Sequence, residues 1–257
     1  MGLNNTRQII LEAVVYSYIQ NPQPIGSLQV AAIADLSSAT IRNYFRELSD
    51  EGFLMQLHSS GGRIPTENAL KSFWQEALDC AEVAPIRREK VAAGASLYGL
   101  YAILLEKSPN RLVEVTRGKL GRILASFETG EAAIRGGAAV ERLLEEFMGC
   151  DISDLIEIAR TNKIDALYHA LCLVETARAE RFNEEVLIAR ANETSFDFAR
   201  FYDKSAAINL PAAFYFKPPL MTIAKNAYDG DKPALLVALG AINSNFLGFI
   251  NYIKEEK

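Results

Sequence analysis

Arg42, Asn43 and Arg46 combine residue types and spacing suited to recognising nucleic acid. At about 100° per residue they share one helix face with Ala39, opposite a stripe of Ile41, Tyr44, Phe45 and Leu48. An arginine forks onto guanine O6 and N7, an asparagine pairs bidentately with adenine, and an alanine methyl meets the methyl of thymine. Ser38 and Thr40, at the start of that helix, are expected on phosphates together with its free backbone N–H groups. Ser27 offers the same at the preceding helix. Further along, His58, Ser59, Gly61, Gly62 and Arg63 make a glycine-rich tip. Gly61 and Gly62 leave room for close approach to sugar and phosphate, Arg63 brings charge, and His58 is a further donor.

The elements that must position these groups follow from periodicity and caps. Ile10, Ala13, Val14, Ser17 and Tyr18 recur at helical spacing, and Asn21-Pro22-Gln23-Pro24 ends the pattern. Ser27 is expected to cap a short second helix through Ala34, and Asp35-Leu36 supplies the turn. Ser37 or Ser38 caps the third, which closes near Gly52 in the position of a left-handed C-cap. Phe53 to Leu57 then alternate as a strand does. Pro65 confines the returning strand to a short edge position. Three helices followed by a two-stranded wing is the winged helix-turn-helix arrangement, in which the last helix enters the major groove. From Thr66 a helix carrying Leu70, Phe73, Trp74, Ala77, Leu78 and Ala81 on one face is expected to run to Val83. Pro85 and the cluster Arg87 to Lys90 mark a boundary, giving a first domain of residues 1–84 and a second of 85–257.

The second half reads as α+β. Val91 to Leu105 is an uncharged, largely apolar stretch, too short for a membrane span and expected as a helix. Its stripe of Leu97, Leu100, Tyr101 and Leu104 is either core or a surface shared between two protomers. Strands are expected at Leu112–Val115, Arg122–Phe127, Ala132–Arg135, Val186–Ala189, Phe214–Phe216, Leu220–Ala224 and Ala234–Ile242. Helices are expected at Ala139–Phe147, Ile152–Arg160 and Ile164–Val174, with a last one carrying Phe246, Phe249, Ile250 and Ile253.

Composition narrows the function class. A net charge of -5 provides no global basic field, and in residues 1–78 acidic side chains outnumber basic ones, so DNA binding requires a local patch. The N-terminus lacks a signal peptide pattern, and Cys80, Cys150 and Cys172 form no pair, so a reducing cytoplasmic setting is expected. There is no P-loop, GxGxxG, GxSxG or HExxH. Asp151 with Asp154 and Glu145 with Glu146 read as solvated helix ends, and His169 as structural. No metal-ligand spacing joins the cysteines and histidines. No enzyme, metal or cofactor is expected.

Four strings carry a resemblance: Pro24-Ile25-Gly26-Ser27, Ser37-Ser38-Ala39-Thr40-Ile41-Arg42-Asn43, Leu48 to Leu54, and His58 through Gly61-Gly62-Arg63-Ile64-Pro65 to Thr66. In this order they resemble HrcA, the bacterial heat-inducible transcription repressor family, over about residues 7–75. After Gly240 the chain reads Ala241-Ile242-Asn243-Ser244-Asn245-Phe246 where the family has a PTRMDY-like string, so the C-terminal domain is read as reduced or divergent. The resemblance implies a homodimeric repressor of chaperone operons that binds an inverted-repeat operator and is modulated by the GroE chaperonin. It also implies a GAF-like second domain with an inserted dimerising segment, expected near 178–211. Two other readings stand beside it: a winged-helix regulator whose α+β domain senses a small ligand, and a winged-helix protein-interaction module.

Overall fold

Ser37 and Thr66 set the first part of the architecture. In the computed structural model, which describes residues 5–58, 61–80, 82–193 and 210–254, α1 (Asn5–Gln20) and α2 (Ser27–Ala34) precede α3 (Ser38–Asp50). The Ser37 hydroxyl accepts from the Thr40 amide at 3.1 Å, satisfying one of the free donors at the start of α3. Asp35 takes the left-handed conformation that ends α2, and Gly52, φ +79°, turns the chain out of α3. Ile41, Phe45 and Leu48 are buried along the stripe predicted from spacing. Strands β1 (Leu54–Met55) and β2 (Ile64–Pro65) pair antiparallel in the register Leu54 to Pro65, and Thr66 caps α4 (Glu67–Ala77) through the Ala69 amide.

Helix α4 is shorter than its apolar face suggested. Leu78 is extended, and the chain enters β3 (Ala84–Ile86), an unforeseen strand in which Ala84 and Ile86 are buried and Pro85 is exposed. A proline is tolerated at a sheet edge because its missing donor faces away from the ladder. Trp74, fully buried, anchors α4 to the second half. Its indole N–H donates to the Ile242 carbonyl at 2.7 Å, and its ring meets Phe246 edge-on at 5.5 Å. One hydrophobic cluster therefore runs from Ile10 and Leu48 through Trp74 to Ile86 and Phe249.

The second half is mixed α+β. After α5 (Arg88–Leu97) comes β4 (Tyr101–Glu106). Next are β5 (Leu112–Arg117), a 3-10 turn (Lys119–Gly121), β6 (Arg122–Phe127) and β7 (Glu131–Arg135). Helices α6 (Ala138–Glu146), α7 (Ile152–Thr161) and α8 (Asp165–Ala177) lead to β8 (Ala179–Phe182) and α9 (Glu184–Glu193). The chain closes with β9 (Ala213–Lys217), β10 (Leu220–Asp229), β11 (Lys232–Ala241) and α10 (Phe246–Ile253). A six-stranded sheet has the order β3-β10-β11-β4-β8, with β9 also on β10. Since β11 pairs along the whole of β10, β9 and β3 share its other edge. Between the neighbours β4 and β8, residues 112–174 build a separate core of their own from β5-β6-β7 and α6 to α8. The segment 178–211, where an insert was expected, begins with β8 and α9 and passes into residues outside those described.

Two expectations are corrected. Val91 to Leu105 is not one helix: Gly99, φ +60°, breaks it, and Leu100, Tyr101 and Leu104 lie at or in the interior strand β4, all nearly fully buried in the chain's own core. A strand buried on both faces is continuously apolar, so its pattern is indistinguishable from that of a buried helix. Leu97 ends α5 and is 65% exposed, so the four do not form one surface. Val186 to Ala189 belong to α9 rather than a strand; Glu184 and Glu185 in its first turn suit the positive end of a helix dipole.

Candidate nucleic-acid interface

Helix α3 presents Ala39, Arg42, Asn43 and Arg46 to solvent, opposite its buried stripe. The Arg42 guanidinium lies over the start of α2: its Nε donates to the Ser27 hydroxyl at 3.4 Å and its Nη2 to the Ser38 hydroxyl at 3.3 Å. Ser27 is therefore a support for Arg42 and not the cap of α2, whose N-cap is Gly26 with no side-chain hydrogen bond. The Thr40 hydroxyl is shared with that of Ser37 at 2.8 Å.

The hairpin is tied to this surface through the backbone. Ile25 donates to the Arg63 carbonyl at 2.8 Å and Arg63 donates back to the Ile25 carbonyl at 2.9 Å, so the returning strand lies against the residues that lead into α2. Gly62 is a glycine for this reason: a Cβ there would stand 2.4 Å from the Ile25 carbonyl oxygen. The requirement expected from DNA approach is already imposed by the protein's own backbone. Gly61 closes the tip through its N–H to the His58 carbonyl at 2.9 Å. His58 is exposed, and Ser59 lies outside the described residues.

These elements enclose a cleft of about 480 Å³ lined by Gly26, Ser27, Leu28, Arg42, Phe45, Arg46, Gln56, Gly61, Gly62 and Arg63. Of the predicted set it gathers Ser27, Arg42, Arg46, Gly61, Gly62 and Arg63. Ala39 and Asn43 are exposed on α3 outside it. The Arg63 Nε is buried with no hydrogen-bond partner. Leu28 and Gln56 escaped the sequence reading. Gln56 follows β1 and reaches the Gly61 carbonyl at 3.4 Å; the alternation beyond Met55 was the available signal.

Charge is segregated around α3. Three arginines and no carboxylate line the cleft. Glu47 and Glu51 are held by Arg7 of α1, whose guanidinium is pushed above its ordinary value mainly by its hydrogen bond to Glu51. The excess of acids in this region is thus compatible with a basic recess: a local patch, not the net charge, faces a ligand. Among the described residues no group of three or more His, Cys, Asp or Glu could hold a metal ion, and no helix is long and apolar enough to cross a membrane.

In sequence the chain is similar to transcription repressors. The HrcA C-terminal domain profile matches residues 74–257. The heat-inducible transcription repressor HrcA of Helicobacter pylori strain 26695 is 29% identical, over 98% of this chain and 96% of that protein. That of Protochlamydia amoebophila is 43% identical over 233 residues, 89% of this chain and 54% of that protein. The chain belongs to the HrcA family of heat-inducible transcription repressors. A crystal structure of a hypothetical protein shares the fold, with a TM-score of 0.53 at 17% identity over 98% of this chain and 95% of that one.

Proposed function

We propose that this chain is a cytoplasmic, homodimeric repressor of chaperone operons. Residues 1–84 act as a winged helix-turn-helix on double-stranded DNA and residues 85–257 as a GAF-like sensor and dimerisation domain. The observation that carries the reading is the cleft: the start of α2, the outer face of α3 and the hairpin converge there with Arg42, Arg46 and Arg63 and no lining acid. Helix α3 inserts into the major groove. Arg42, Arg46 and Asn43 read base edges, Ala39 adds an apolar contact, and Ser38 and Thr40 stand at the phosphate-facing start of the helix. Arg63, with His58 and Gly61 at the tip, follows the backbone beside the groove. A two-fold dimer places two such helices one duplex turn or a multiple apart, which suits an inverted repeat. Occupancy of the promoter excludes polymerase, and the GroE chaperonin maintains the binding-competent fold.

One polar recess of the second half, lined by Lys107, Ser108, Asp151, Ser153, Ile156, Glu175 and Arg178, has about 90 Å³, well below the roughly 300–1,000 Å³ of small-molecule sites, so that recess does not support sensing of a small metabolite. The test is transcription in vitro from a chaperone-operon promoter. The protein should repress the template carrying the inverted repeat and leave one with a scrambled repeat unaffected, and chaperonin should increase the active fraction. Equal repression of both templates, or none, sinks the proposal.

A further inference from the structure

The cleft is cationic, yet part of its lining is apolar. Leu28, at the second position of α2, is 74% exposed and lines the recess with Arg42 and Arg46; Phe45, 4% exposed, lines it too. A leucine held in water at the entrance to a charged recess gains only when a ligand covers it with apolar surface. Phosphates and sugar hydroxyls do not supply that surface. In the major groove of DNA the apolar group on a base edge is the C5 methyl of thymine, and guanine, the partner suited to Arg42 and Arg46, presents acceptors beside it.

We infer that Leu28 is a specificity-determining residue that selects a thymine in each half-site by packing on its C5 methyl, next to the bases that Arg42 and Arg46 contact. The inference rests on the DNA-binding reading and deepens it. The charge of the lining selects the occupant: three arginines without a carboxylate favour a polyanion over an apolar peptide, and double-stranded DNA is the polyanion that carries methyl groups at fixed depth in a groove. Ala39 offers a single methyl group and lies outside the cleft, so the larger contact falls to Leu28. Because Leu28 is largely exposed, truncating it removes this contact and leaves the core of α1 to α3 in place.

The experiment starts from the full chain and a randomised pool of duplexes. The most strongly enriched duplex is remade with each thymine replaced in turn by deoxyuracil, which removes the methyl and keeps the hydrogen-bonding edge. Dissociation constants are read by fluorescence anisotropy for the native chain and for Leu28→Ala. The native chain should bind about fourfold more weakly when one particular thymine per half-site loses its methyl, the worth of one buried methyl group. Leu28→Ala should bind the thymine and deoxyuracil forms of that position equally. The inference is overturned if no thymine is sensitive, or if the sensitivity persists undiminished in Leu28→Ala. A pool that yields no enriched sequence overturns the DNA-reading proposal itself, which separates the two failures.

Discussion

Gly62→Ala separates the two reasons a glycine can stand at the foot of the hairpin. A Cβ at position 62 would meet three backbone atoms of Ile25, its oxygen at 2.4 Å, its carbonyl carbon at 2.6 Å and its nitrogen at 2.9 Å. None is the end of a flexible side chain, so the bridge between Ile25 and Arg63 must open. That forfeits the hydrogen bonds of 2.8 and 2.9 Å, at about 1 kcal/mol each. Ile25, 2% exposed, would lose part of its cover, for about another 1 kcal/mol. The expected destabilisation is about 2–3 kcal/mol, which for a chain of this size lowers Tm by roughly 5–10 °C. Calorimetric unfolding measures it, with duplex affinity measured in parallel. Both should fall, because the bridge also places the hairpin beside the start of α2. If Gly62→Ala unfolds like the native chain and only DNA affinity drops, the glycine exists for DNA to approach and the packing argument is wrong.

Other perturbations probe the connection between the halves and the α+β core. Trp74→Phe removes the donor to the Ile242 carbonyl and leaves that acceptor buried; with the smaller ring the loss is about 2–4 kcal/mol in urea unfolding. An unchanged midpoint would show that the bond between α4 and the β11–α10 connection contributes nothing. The Asp151 carboxyl is pushed up by burial but pulled further down by hydrogen bonds from the Ser153 hydroxyl and amide and the Asn110 amide, so it lies below its ordinary value. A depressed folded pKa contributes stability above the unfolded value near 3.8, and this is lost as pH falls through the folded value. Asp151→Asn should therefore lower stability at pH 7 and flatten the decline below about pH 4. An acid limb as steep as in the native chain would contradict the assignment.

Much of the N-terminal site was legible because local signals agree there. The stripe of α3, the Ser37 cap, Gly52 and the edge proline Pro65 all specify the same arrangement, and the exposed arginines follow from it by angle. The misreadings occurred where the deciding interaction is non-local. Leu100 to Leu105 look helical until β11 and β8 flank them. Ala84 to Ile86 look like a linker until β10, far along the chain, offers a parallel ladder. Ser27 holds the chemistry of a cap but is occupied by Arg42, and Gly62 is fixed by Ile25, a residue many positions earlier. Leu28 carries no polar group, and it joins the candidate site only through the cleft formed around it by non-local contacts.

Base reading by α3 is tested by binding of the full chain to an inverted-repeat chaperone-operon duplex and to a scrambled duplex, titrated over salt and repeated with Arg42→Ala. The native chain should prefer the repeat with an affinity that falls steeply with salt, and Arg42→Ala should lose about 1–3 kcal/mol of that preference. Equal binding to both duplexes, or binding that ignores salt and Arg42, would contradict it.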